Sequence, residues 1–315
     1  MTIDKYEINE FKLVIAGLDN AGKSSALIAL RKKYNFYERV KNLKPTIKID
    51  YSSFKFLETY RINLWDMGGQ KKFRKIYVSN PIYFTETNYI YYLIDIQDEI
   101  KFEESVKYLH DLLNIYRDLD YSNEVIICFN KYDPKFKKSE DFFDRAEMIK
   151  NLIVSQNKDM KFKFFDTSYY DISSISKAIS YSLNKLLNLE EIDIGLNKIV
   201  NQFSCNYAIL YTASGLIMSD HYMDVMDIRA FEEKISSRIN EDLEFFQRLK
   251  DEDVKIDDRV ALSEDRTEYV KRYLTISGKN IENTFYIGIS APTSKINEIK
   301  IELENFRKVL LSTFK

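Results

Sequence analysis

The stretch Gly17-Leu18-Asp19-Asn20-Ala21-Gly22-Lys23-Ser24-Ser25 follows directly on the apolar run Phe11 to Ala16. The chain has 8 glycines in 315 residues, and two of them stand here with Lys23 and Ser24 behind the second. A strand-length run before them and a helical period over 24–33 after them put the glycines in a strand-to-helix turn. Such a turn lets successive backbone N–H groups point inward around an anion, and the helix N-terminus adds its dipole. The pattern G-x-x-x-x-G-K-S is that of a phosphate loop. Lys23 would reach the β- and γ-phosphates of a nucleotide and the Ser24 hydroxyl would bind Mg2+, with Asp19, Asn20, Ala21, Gly22 and Ser25 lining the cradle. With glycine this scarce, a chance match is on the order of one in several hundred.

Working outward, strand-length apolar runs recur at 11–16, 62–65, 89–95, 124–129 and 162–166. Segments of helical period lie at 24–33, 102–115, 142–155 and 174–187. This alternation implies βαβ units: a mostly parallel sheet with helices on both faces. The exception is 48–65, where two runs flank Glu58-Thr59-Tyr60 and predict a hairpin with one antiparallel edge strand. In 173–187, Ile175, Ile179, Leu183 and Leu186 form one apolar stripe, a helix closing the first domain. The expected fold class is α/β, a six-stranded phosphate-loop fold over 1–189, followed by a smaller α+β domain over 190–315.

Four further segments say what the loop holds. Asn130-Lys131-Tyr132-Asp133 ends the run Glu124 to Phe129. A carboxylate there can accept both N1–H and the exocyclic amine of guanine, a pair that adenine lacks. Asn130 can bond the base and tie its loop to the phosphate loop, and the Lys131 stem can cover one face of the ring. Trp65-Asp66-Met67-Gly68-Gly69-Gln70 ends the second hairpin strand. Asp66 would hold Mg2+ through a water, the Gly69 N–H would bond the γ-phosphate, and Gln70 would orient the attacking water. Thr46, in Lys44-Pro45-Thr46-Ile47, is the third expected Mg2+ ligand. Thr167, Ser168 and Tyr169 follow the last apolar run and offer backbone contacts to the guanine O6. Gln70, Lys23 and Gly69 are the expected catalytic set.

Composition narrows the setting. There are 47 Lys and Arg against 49 Asp and Glu, a net charge of −2. Residues 1–189 carry 30 basic against 26 acidic groups, +4, and residues 190–315 carry 17 against 23, −6. The acidic second part argues against a nucleic-acid partner. No run approaches a membrane span, and no secretory leader is evident. Cys128 and Cys205 lack metal spacing and read as reduced structural thiols, so a cytoplasmic location is expected. Arg31 to Lys33, Arg39, Lys41, Lys44, Lys71, Lys72, Arg74 and Lys75 crowd the two segments around Thr46 and Gln70. Such a basic surface suits an acidic regulator, an anionic membrane, or the acidic second domain of another copy.

GLDNAGKSS, KPTIKID, WDMGGQ and NKYD together resemble the small GTPases of the Ras superfamily, most of all the Arf and Arf-like branch. The Trp before Asp66 and the doubled glycine before Gln70 are shared with the Rag/Gtr branch. The resemblance covers about residues 10–189. It implies a GDP/GTP switch with Mg2+, in which Thr46 and 66–75 change order when the γ-phosphate is lost. It also implies slow GTP hydrolysis, an exchange factor and a GTPase-activating protein. The sequence departs from Arf proteins in three ways. Thr2 follows Met1 where Arf proteins carry a myristoylated glycine, and no other lipidation motif replaces it. The guanine-contacting Ser-Ala pair becomes Ser168-Tyr169. The chain also continues about 126 residues beyond the closing helix.

That continuation reads as a helix (192–203), a hairpin (207–212 and 216–221), a long helix (224–250), three strands (258–263, 267–277, 283–291) and a final helix. The element order looks like the roadblock/longin domains, with the helices expected on one face of a five-stranded sheet. Rag GTPases carry a roadblock domain in this place and dimerise through it, so a homo- or heterodimer is the expected assembly. A competing reading keeps the GTPase fold as a nucleotide-stabilised scaffold with little turnover.

Overall fold

The computed structural model describes residues 9–31, 48–56, 60–136, 139–213, 215–223, 228–262, 266–277 and 281–314. Its contacts divide the chain into two compact units, and the division falls between Ala178 and Ile179.

The first unit runs β1 (Asn9–Gly17), α1 (Lys23–Arg31), β2 (Ile49–Phe56), β3 (Tyr60–Met67), α2 (Lys71–Val78), β4 (Tyr89–Asp95), α3 (Phe102–Asp118), β5 (Val125–Asn130), α4 (Glu140–Gln156) and β6 (Phe162–Thr167), and enters α5 (Ile172–Leu187). Its sheet has the order β2, β3, β1, β4, β5, β6. Only the β2–β3 pair is antiparallel, and β2 is an edge. The strands β4 (YIYYLID) and β5 (VIICFN) are buried almost throughout because helices cover both faces of a parallel sheet. Leu109, Leu112 and Leu113 of α3 are almost wholly enclosed in the core with Ile90, Tyr92 and Ile127. Each such leucine stabilises the fold by roughly 1.5–3 kcal/mol.

The register matters for function. Asp95 pairs with Asn130, Asn130 with Thr167, Ile15 with Asp66 and Gly17 with Leu93. The carboxyl ends of five strands therefore finish together at one rim, where ligands bind in open α/β sheets.

The helix α2 is absent from the sequence reading. It has only eight residues, and its inward face is Phe73, Arg74 and Tyr77. An arginine in the buried stripe disguises so short a period.

The second unit contains α6 (Glu190–Phe203), β7 (Tyr207–Thr212), β8 (Ile217–Tyr222), α7 (Ile228–Asp251), β9 (Asp258–Leu262), β10 (Arg266–Ser277), β11 (Ile281–Pro292) and α8 (Ile296–Thr313). Its sheet is wholly antiparallel in the order β8, β7, β11, β10, β9. This is the roadblock/longin-like arrangement. One expectation is corrected: the helices cover both faces. Ile235, Ile239 and Phe246 of α7 pack on Tyr207, Ile209, Tyr211 and Tyr286. On the opposite face the Tyr273 hydroxyl donates to Leu303 O of α8 at 2.9 Å, and Phe285 stacks on Phe314. The residues of the central strands alternate between two apolar layers, so helices cover both faces there.

Among the described residues no helix is long and apolar enough to cross a membrane. Cys128 and Cys205 are both buried free thiols, and burial pushes each up to about 12.

In the second unit α6 and α8 meet at Gly195, where a Cβ would stand 2.7 Å from the Phe306 ring. Alanine at 195 would gain about 1 kcal/mol of helix propensity. Overpacking against the enclosed ring costs about 1–3 kcal/mol. Gly195→Ala should therefore lower stability by about 1 kcal/mol in urea denaturation. In a Phe306→Leu background the same change should become neutral or stabilising.

Candidate nucleotide site

The phosphate loop leaves β1 at Gly17 and enters α1 at Lys23. Gly22 has φ +83°, and a Cβ there would stand 2.3 Å from Asn130 Nδ2. Both the backbone angle and the space demand glycine. Asn20 also adopts a left-handed conformation, φ +62°, which asparagine tolerates. Asp19 is exposed, 3.9 Å from the Lys101 ammonium, and Ala21 is buried.

Lys23 is buried, and Nζ donates to Gly17 O at 3.1 Å and to Leu18 O at 2.7 Å. Burial pulls its pKa down to about 8, while Asp66 and Asp19 oppose the shift. A buried ammonium facing carbonyl oxygens is a site where an anion would be strongly favoured.

Ser24 Oγ donates to Asp66 Oδ2, joining the start of α1 to the end of β3. These are two hard oxygen donors at one point, the kind of set that suits Mg2+. Gly69 lies against the loop: a Cβ there would come within 2.3 Å of Asp19 N and Leu18 C. The residues present therefore fit a polyphosphate with its cation. Gln70 is half-buried immediately before α2, and its side chain makes no capping bond. Ser25 stands in the first turn of α1. Thr46 lies outside the described residues, as do Lys32, Lys33, Arg39, Lys41 and Lys44.

The basic surface needs a correction at Arg74. Lys71, Lys72 and Lys75 are exposed, but Arg74 is buried. Its Nε donates to Gly69 O at 2.8 Å, a second nitrogen pairs with Glu104, and its guanidinium lies over the Tyr108 ring. That bond holds the Glu104 carboxyl below the usual carboxylate range.

At the far end of the rim, Asn130 Nδ2 donates to Ala21 O at 2.7 Å, and Thr167 Oγ1 donates to Asn130 Oδ1 at 3.0 Å. Asp133 is buried and accepts from Ser168 Oγ at 2.6 Å. Ser168 N donates to Ser174 Oγ. Tyr169 is half-buried with its ring 4.1 Å from that of Tyr170. Lys131 takes φ +62° and its Nζ pairs with Asp95 Oδ2 at 2.6 Å. Asp95 and Gln97 escaped the sequence reading. Gln97 Nε2 donates to Lys131 O at 2.7 Å and to Asp133 Oδ2 at 3.1 Å. They belong to no spaced motif. The available signal was position alone: Asp95 ends β4 and Gln97 follows it, and that end lies beside the end of β5.

The family model of the Gtr1/RagA G protein conserved region matches residues 12–239, well beyond the first unit. The chain belongs to the Gtr1/RagA family of G proteins. Among curated relatives, it is 29% identical over 191 residues to the ADP-ribosylation factor-like protein alp41 of Schizosaccharomyces pombe, covering 61% of this chain and 92% of the relative. Among solved structures it is similar to the Arl6 BBS3 small GTPase from Trypanosoma brucei with bound nucleotide analogue GppNp. That match has 17% identity and a TM-score of 0.46, covering 56% of this chain and 97% of that one. This Gtr1/RagA-family chain is thus a nucleotide-binding switch protein of the Arf-to-Rag clade, in a GTP-hydrolysing superfamily.

Arg74 is the internal brace of this site. Arg74→Ala should cost about 2 kcal/mol, the range for losing a hydrogen-bonded charged donor. Arg74→Lys should restore little, because one ammonium cannot replace the fork spanning Gly69 O and Glu104. Chemical denaturation of the three proteins checks both.

Proposed function

We propose that this protein binds GDP and GTP with Mg2+, hydrolyses GTP slowly, and uses its C-terminal unit for dimerisation. The reading is carried by one observation: the buried Lys23 ammonium is turned onto the Gly17 and Leu18 carbonyls beside the bonded Ser24–Asp66 pair. With the triphosphate present, Lys23 exchanges those carbonyls for β- and γ-phosphate oxygens, and the amides of 19–25 wrap the chain. Ser24, Thr46 and Asp66 would hold Mg2+, which would supply positive charge against the phosphates. Asn130, Lys131, Asp133, Thr167, Ser168 and Tyr169 hold guanine.

In hydrolysis Gln70 orients a water whose oxygen attacks the γ-phosphorus. The bond from that phosphorus to the β–γ bridging oxygen breaks, releasing GDP and phosphate, while the Gly69 N–H steadies the γ-oxygens. Arg74, the nearest arginine to Gln70 along the chain among the described residues, is committed to Gly69 O and Glu104. That commitment supports a slow intrinsic rate and a partner that supplies the missing positive charge. Single-turnover assay should show Gln70→Leu hydrolysing GTP roughly tenfold or more slowly than the parent, with nucleotide affinity retained. An unchanged rate would remove Gln70 from its role.

Dimerisation is supported by the edge strand β9. Its Val260 and Leu262, two positions apart and so on one face, are 44% and 74% exposed. An edge that is unpaired among the described residues and carries apolar side chains invites a second strand, from another copy or a related chain. Light scattering should give a dimer for the parent chain and a monomer for Val260→Lys/Leu262→Lys. A parent monomer, or a doubly substituted dimer, would exclude β9 as a self-pairing edge.

A further inference from the structure

We propose that Gln97 is a specificity-determining positioning residue: it aims the Asp133 carboxylate at the guanine edge. This rests on the guanine reading above and adds a residue to it.

A carboxylate has about four lone-pair sites, two on each oxygen. Reading guanine takes one on each oxygen, for N1–H and for the exocyclic amine. The other two must be occupied by protein donors if the plane of the carboxylate is to be fixed. The structure supplies one donor per oxygen. Ser168 Oγ reaches Oδ1 at 2.6 Å, and Gln97 Nε2 reaches Oδ2 at 3.1 Å. Ser168 comes from the segment after β6 and Gln97 from the turn after β4, so the carboxylate is held from two strand ends.

Gln97 is itself anchored. Its backbone N–H donates to Asp95 Oδ1 at 3.0 Å, and Asp95 Oδ2 receives the Lys131 ammonium at 2.6 Å. The two bonds of its amide, to Lys131 O and to Asp133, account for both of its N–H groups. One side chain thus joins the backbone of the ring-covering residue to the base-reading carboxylate. Because Gln97 is exposed at the rim, each of these bonds contributes modestly.

The consequence is selective. Without Gln97 the Asp133 carboxylate turns about its bond, and the paired contact to N1–H and the amine becomes a single one. Inosine nucleotides lack that amine and have no second contact to lose. Gln97→Ala should therefore weaken GDP about fivefold while changing IDP little, so the preference for GDP over IDP shrinks by about that factor. Gln97→Glu keeps the shape but sets a carboxylate against Asp133, and should weaken GDP more than alanine does. Titrations of the full chain with GDP and IDP in Mg2+, with thermal melts of each variant, read these effects. An unchanged GDP-to-IDP ratio in Gln97→Ala would overturn the proposal, as would equal losses for both nucleotides. If the parent chain fails to prefer GDP over ADP, the base-reading assignment falls first and Gln97 with it.

Discussion

The contact between Gly22 and Asn130 is the constraint on which the site depends. The asparagine amide occupies the volume that any larger residue at 22 would need, and it bonds Ala21 O from there. Its carbonyl is bonded in turn by Thr167. A buried amide with both ends satisfied is stiff, and an unsatisfied one is expensive. The loop after β1, the end of β5 and the end of β6 are thereby locked as one piece. Phosphates and base, at opposite ends of a nucleotide, would meet surfaces already set at a fixed separation. That removes ordering cost from binding.

Against this stiff end stands a region built to respond. Lys23 carries its ammonium in a place that disfavours charge, and burial pulls its pKa down to about 8. An incoming phosphate would relieve it and draw the ammonium off two loop carbonyls. Gly69 packs directly on the same loop backbone, and Arg74 reaches back from α2 to Gly69 O. The loop is thereby joined to α2 by the backbone packing of Gly69 and by one side-chain bond from Arg74. A ligand shifts an equilibrium between two arrangements only as far as it prefers one of them.

Much of this was legible in the sequence, for physical reasons. Continuous apolar runs of strand length such as YIYYLID read as strands buried on both faces, and a phosphate loop must follow a strand and precede a helix. The helix α2 was hidden because its inward face includes Arg74, whose cost is met by the Gly69 carbonyl and Glu104, residues distant in pattern. Asp95 and Gln97 were hidden because hydrogen bonding to a neighbouring strand end requires no spacing. Thr46 falls outside the described residues. The one-sided second sheet was a misreading of a visible signal. In β7, YAILYT is buried at all six positions, which already requires a layer on each face.

The second unit raises the same issue of orientation against stability. Asp242 of α7 is buried, pairs with Arg259 of β9 at 2.6 Å and accepts from the Tyr211 hydroxyl. Burial pushes this carboxyl up to about 6, against the pull of Arg259 and Arg238. Its folded pKa thus lies above the ordinary value of 3.8, so desolvation outweighs attraction and the ionised pair adds little net stability. What it does supply is direction. Apolar packing of Ile235, Ile239 and Phe246 would tolerate sliding of α7 along the sheet, whereas a charged bond to Arg259 fixes α7 against the edge strand. The strand that carries Val260 and Leu262 is thereby held in one register, as an edge must be if it is to pair with a second strand.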